Sequence, residues 1–135
     1  MTASDAEQHL ELLMAADEAV TGWRGLRAEN RWSWFQKLYE QAAHLDRRYR
    51  LALRSGWWED EVQVELLAAL GAWVAMFDYA NWADPEGKAR LIFQLPAVRE
   101  LLRGGAQQFD AEQDREAFER HLRDIRGCEE PTNAR

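Results

Sequence analysis

Three histidines, His9, His44 and His121, and one cysteine, Cys128, are the residues of this 135-residue chain best suited to hold a metal or act as a nucleophile. A carboxylate-bridged metal centre in a helical bundle needs Glu-x-x-His on two helices, because that spacing turns both ligands toward the core. The residues three before the histidines are Ala6, Gln41 and Phe118, so the pattern is absent. Glu40 and His44 share a helix face but form a single pair, short of a ligand set. Glu61 and Glu65 are the nearest approach to the converging carboxylates that hold magnesium. With no second pair in register, they read as surface charge. Cys128 sits in Gly127-Cys128-Glu129-Glu130-Pro131, and no Ser, His and Asp set accompanies a glycine-rich elbow. The sequence therefore predicts no metal and no cofactor, and disfavours catalysis.

Arg115, with His121 six residues on, resembles the Arg-x(4–6)-His pattern of HEPN-type helical ribonucleases. The resemblance implies an RNA-cleaving pair made of those two residues. It departs from the pattern at Glu116, where a small polar residue is usual, and it places the pair inside a surface helix.

Recognition is the other chemistry on offer. Seven tryptophans are present, Trp23, Trp32, Trp34, Trp57, Trp58, Trp73 and Trp82. Trp32 and Trp34 fall at the same end of the expected helical hairpin as Tyr79 and Trp82, with Arg31, Asp78 and Asn81 as polar neighbours. Tryptophan and arginine are enriched where proteins grip one another. The expectation is thus a binding surface for another protein, or for a second copy in a homo-oligomer. The competing readings are that the indoles plug the ends of the core or enclose a small ligand.

The elements that must position these residues are all helical: the fold class is all-α, an antiparallel bundle of five to six helices. Ser4-Asp5-Ala6-Glu7 is a capping box opening a helix to about Val20. Phe35, Leu38, Ala42, Leu45, Tyr49 and Ala52 recur at steps of three and four, predicting a helix over about 30–54 that stops at Gly56. A third, over about 58–83, carries Val62, Leu66, Leu70, Trp73, Phe77 and Ala80 on one face with Leu67, Gly71 and Val74 beside them, and is apolar nearly all round at its middle. Pairing these two as a central hairpin sets Phe35 beside Phe77, Leu38 beside Val74, Ala42 beside Leu70 and Leu45 beside Leu67 in one register. Asp84-Pro85 restarts the chain as N-cap and first helical residue. Leu91, Ile92, Leu95, Val98 and Leu102 then keep one phase across Pro96, as one kinked helix or two short ones. After Gly104-Gly105, Asp110 to Gln113 opens a last helix with a thin stripe of Phe118, Leu122 and Ile125. Glu116–Arg120 and Glu119–Arg123 support it at four-residue spacing.

The totals agree with one domain over 1–127 and a disordered tail over 128–135. A lone cysteine forms no internal disulfide, and the first residues lack the basic and apolar stretches of an export signal, so a cytoplasmic location is expected. The longest uncharged apolar run, Leu66 to Phe77, is shorter than the roughly 20 residues that span a membrane. Fifteen arginines against two lysines suggest a GC-rich bacterial genome. A net charge of −7 argues against general nucleic-acid binding. That charge alternates along the chain: −5 over 1–22, +5 over 23–55, −7 over 56–87, +3 over 88–108 and −3 over 109–135. Arg47, Arg48, Arg50 and Arg54 could form a phosphate patch, but ending one helix opposite Glu59, Asp60 and Glu61 they read as caps and ion pairs.

Overall fold

The computed structural model describes residues 23–79, 85–102, 107–125 and 127–130. The helix expected over 4–20, the glycine pair at 104–105, Asn81 and Trp82 lie outside the described residues. Every regular element among those described is helical, and none of the helices is long and apolar enough to cross a membrane.

Helix α1 spans Ala28–Tyr49, and the seam read from the sequence through Tyr49 is its buried face: Phe35, Leu38, Ala42, Leu45 and Tyr49. It stops five residues sooner than expected. Arg50 takes left-handed dihedrals of φ 53° and ψ 55°, and Ala52 follows with φ 56°. The gain is the burial of Leu51 and Leu53, both fully enclosed. A continued helix would set them about 200° apart, so no single face could bury both. The diverted chain instead meets the segment after the third helix. Ser55 N–H donates to Gln107 O at 2.9 Å and Phe109 N–H to Leu53 O at 2.8 Å, flanking an isolated antiparallel bridge between Arg54 and Gln108.

Gly56, at φ 82°, leads into a short 3-10 turn, Trp57–Glu59, and helix α2 follows over Glu61–Tyr79. The expected helix start at Trp58 thus becomes a separate turn. Asp60 caps α2, its Oδ1 accepting from Val62 N–H at 3.0 Å and Gln63 N–H at 3.4 Å. The central hairpin forms. The Gln41 side chain lies directly over Gly71, where any Cβ would collide with it, and that contact sits on the register that pairs Ala42 with Leu70. Leu67, Leu70 and Val74 of α2 are buried as the hairpin register requires, and Val64, Ala68 and Ala75 join them, whereas Val62, expected on the inner face, is 67% exposed. Trp73, Phe77 and Leu66 pack against the core from its edge.

Helix α3, Pro85–Leu102, runs unbroken through Pro96. Proline has no N–H for the carbonyl of Ile92, and it is tolerated where that carbonyl can meet water; Pro96 is exposed. Leu91, Leu95 and Leu102 face inward. Arg99 fastens α3 to the end of α1, donating from Nη2 to Tyr49 O at 2.7 Å and from Nε to Tyr49 O and Arg50 O at 3.2 Å each. Helix α4 covers Arg115–Asp124. The Asp110 carboxylate caps a turn before it rather than the helix itself, accepting from Glu112 and Gln113 N–H at 2.9 and 3.1 Å. Phe118 and Leu122 are fully buried and Ile125 is half-buried. Glu116 pairs with Arg120 at 3.5 Å, but Arg123 reaches Glu130 at 3.2 Å instead of Glu119.

The 3-10 turn, the stretch before α4 and α4 itself meet α1 at Tyr39. Its ring stacks on Phe118 at 4.4 Å, meets Phe109 edge-on at 5.3 Å, and lies 6.4 and 6.1 Å from Trp57 and Trp58. Its hydroxyl donates to Ala111 O at 2.7 Å. Burial pushes this phenol up from 10 to about 12, against a smaller opposing pull from the Arg115 guanidinium, which sits 4.9 Å over the ring.

A raised acid pKa in the fold stabilises the folded state below the unfolded value and loses that contribution as pH climbs toward the folded one. Tyr39→Phe should therefore cost about 1 kcal/mol in urea denaturation near pH 8. Between pH 10 and 12 the wild type should lose stability faster than the variant, closing that gap. A gap that does not change with pH would contradict the assignment.

Candidate functional site

The helical start of α1 gathers an aromatic cluster. Trp23, in the 3-10 turn Trp23–Gly25 that precedes α1, lies 5.3 Å from Phe35, and Trp34 meets Phe35 edge-to-face at 5.0 Å. Trp32 is buried and Trp34 is half-buried against the core. Arg31, expected beside these indoles as a polar contact, is turned onto the backbone. It donates to Arg24 O at 2.7 Å, Leu26 O at 2.9 Å and Gly127 O at 3.2 Å, and its guanidinium lies 5.3 Å from the Trp23 ring. The end of α2 carries Asp78 and Tyr79, whose side chains lie outside the described residues, as do Asn81 and Trp82 entirely. Of the seven residues expected to form the surface, the structure describes Arg31, Trp32 and Trp34 together.

Beside that cluster is a cavity of about 270 Å³. Trp23, Phe35, Trp58 and Val64 supply its apolar walls, and Arg24, Glu59, Glu61 and His121 its polar ones. Glu61 accepts from Arg24 Nε at 2.7 Å and Nη2 at 3.3 Å. This hydrogen bond holds the Glu61 carboxyl below its usual range and the Arg24 guanidinium above its own. His121 enters from α4, whereas Arg115, one and a half turns earlier, donates to Gln36 Oε1 at 3.3 Å and covers Tyr39. The two residues of the ribonuclease-like pattern thus serve different neighbourhoods.

The charge cluster at the hairpin turn resolves into separate contacts. Arg54 pairs with Asp60 at 3.3 Å, Arg48 lies 5.0 Å over the Tyr49 ring, and Glu61 is taken by Arg24. Cys128, expected in a disordered tail, is buried, with its N–H donating to Ile125 O at 3.1 Å. Residues 131–135 lie outside the described residues. Burial pushes the Cys128 thiol up, with Arg31 opposing. Among the described residues, no group of three or more His, Cys, Asp and Glu side chains converges as metal ligands would.

The surface that the sequence reading missed is on α3. Phe93 is 82% exposed, Leu101 62% and Ile92 47%. Ile92 had been expected on the inner stripe. The signal for the others was available, since Phe93 and Leu101 fall out of phase with Leu91, Leu95, Val98 and Leu102. An apolar residue off the buried stripe of an amphipathic helix is left facing solvent by the subunit's own packing.

No protein-family model matches the chain, and neither the curated proteins nor the solved structures contain a match to it.

Arg31→Ala should cost about 2 kcal/mol of stability in urea denaturation, because three carbonyls lose a charged donor at once. Arg31→Lys should recover only a minor part, since an ammonium lacks the planar fork. In native protein at pH 8, Cys128 should react with a thiol reagent at least about tenfold more slowly than in urea-unfolded protein. Equal rates would place it outside the core.

Proposed function

We propose that this chain is a non-enzymatic helical interaction protein that binds another protein in the cytoplasm through the outward face of α3. The supporting observation is the exposure of Phe93, Leu101 and Ile92 on one helix. Exposed large apolar side chains on a helix whose other side is buried are candidates for a contact surface, and an aromatic one among them typically carries much of the binding energy. The aromatic end first suggested by Trp32, Trp34, Tyr79, Trp82, Arg31, Asp78 and Asn81 is the less favoured surface, because Trp32 is enclosed and the Arg31 donors are occupied by carbonyls. In this reading residues 4–20 add a further helix to the four described, the fifth of an expected five to six.

A second reading, a small-ligand-binding bundle, is favoured by the cavity walled by Trp23, Phe35 and Trp58 with Arg24, Glu61 and His121 at its polar side. At about 270 Å³ it is slightly below the usual range for drug-sized ligands. The ribonuclease-like reading has less support, since Arg115 is engaged by Gln36 and Tyr39 away from His121.

Native mass spectrometry of the full chain recovered from its host distinguishes these. The expected result is a stoichiometric protein adduct that Phe93→Asp weakens at least about 30-fold, with helical circular dichroism unchanged. A small-molecule adduct that survives Phe93→Asp would favour the cavity, and a bare chain would defeat the interaction reading.

A further inference from the structure

We propose that the cavity beside Trp23 takes a small aromatic amine, with its ring against the apolar walls and its protonated nitrogen on the Glu59 carboxylate. This rests on the small-ligand reading of that cavity and names the chemistry of its ligand. The aromatic walls are set in advance. Trp23, Phe35 and Trp58 line the space, and at exposures of 9%, 1% and 5% each is held almost entirely by its own neighbours. Phe35 packs on Trp23 and Trp34, and Trp58 on Tyr39, Trp57, Phe109 and Phe118. Val64 and Ile125 complete the apolar lining of about 270 Å³. A pocket whose walls are already ordered loses little of the ligand's contact energy to rearrangement.

The charge on the polar side selects the ligand. Glu59, Asp60 and Glu61 follow one another into α2, and two of the three are satisfied within the chain, Asp60 by Arg54 at 3.3 Å and Glu61 by Arg24 at 2.7 Å. The Glu59 side chain has no ion pair or hydrogen bond among the described residues. It lines both the cavity and an open recess of about 590 Å³, so the two adjoin beside it and a ligand has a way in. The cavity lining carries Glu59 and Glu61 against Arg24 alone, one carboxylate in excess. An unpaired carboxylate beside aromatic faces is the combination that holds an organic cation. Arg31, the other guanidinium near Trp23, is turned onto carbonyls and does not line the cavity. An anion would meet Glu59 with Arg24 already taken, and among the described residues a bare metal ion would find no converging ligands. The His121 imidazole, also without a side-chain partner among the described residues, lines the same side. In its neutral form it accepts a second N–H of the ammonium and fixes its orientation.

Titration of the isotope-labelled full chain with phenethylamine, followed by the indole N–H signals in NMR, tests this. Phenethyl alcohol and phenylpropionate are the controls, since they share the ring and differ in charge. The amine should shift the Trp23 and Trp58 signals and leave that of Trp73 in place. Its Kd should be on the order of hundreds of micromolar, as a ligand of about nine non-hydrogen atoms allows. The alcohol should bind at least about fivefold and the carboxylate at least about tenfold more weakly. Glu59→Gln, an exposed change that should leave circular dichroism unaltered, should weaken the amine about fivefold and keep the alcohol within about twofold. If the three compounds bind alike, or Glu59→Gln does not weaken the amine, the cavity reading stands and the assignment of a cation is overturned. If none of the three moves the Trp23 and Trp58 signals, both fall.

Discussion

The phenol of Tyr39 has to be enclosed and still bonded, and the placement of the 3-10 turn, of the stretch before α4 and of α4 follows from satisfying both conditions. Its hydroxyl finds the carbonyl of Ala111, 72 positions along the chain, while Trp57, Trp58, Phe109 and Phe118 close around the ring. A buried hydroxyl without a partner costs more than a typical hydrogen bond gains, so the stretch before α4 is held where Ala111 can accept. Phe109 is then brought against Leu53, which requires the chain to leave α1 at Tyr49 rather than continue. The left-handed residues Arg50 and Ala52 are the cost of that exit, roughly 1 kcal/mol or more each for side chains bearing a Cβ.

Arginine performs a second task that the excess over lysine does not announce. Arg31 and Arg99 both turn their guanidinium groups onto backbone carbonyls at places where a helix begins or ends. Those carbonyls are the ones that helix geometry leaves without an internal donor, or that belong to turns with no ladder to join. A planar group with several fixed donors can serve two or three of them together, which a lysine ammonium does less well. The composition that looks genomic in origin is thus also put to structural use, at the junctions between elements rather than at the surface pairs.

The seam of α1 was legible because its face is narrow: Phe35, Leu38, Ala42, Leu45 and Tyr49 admit one phase, and the pairing with α2 follows from it. The phase of α2 was legible only in part, at Leu67, Leu70 and Val74, because a helix apolar nearly all round has no preferred side until its neighbours are placed; Val62 and Val64 are equally apolar, and only one is buried. The turn at 50–60 escaped for a different reason. Non-glycine residues in left-handed conformations leave no sequence mark, and Gly56, the evident stop, serves the following 3-10 turn instead. Tyr39 stands one residue off the seam next to Leu38, and its partners Phe109 and Phe118 come from distant segments, so periodicity within one helix could not identify the centre of the core. Of the expected surface, Arg31, Trp32 and Trp34 were legible as neighbours because they share one turn of α1, whereas the exposure of Phe93 and Leu101 is set by the phase of α3, which the indoles do not report.

Arg31 joins the start of α1 to Gly127, 96 positions later, and Gly127, with its left-handed backbone and no room for a Cβ beside that guanidinium, accepts the contact in one geometry. On the ribosome the chain emerges in order, so α1 and α2 can pair while everything after residue 79 is still in the tunnel. The enclosure of Tyr39 waits for Ala111, and the Arg31 clamp waits for Gly127. Folding during synthesis therefore passes through a hairpin whose largest apolar surfaces, around Phe35 and Tyr39, stay open until the last helix is released.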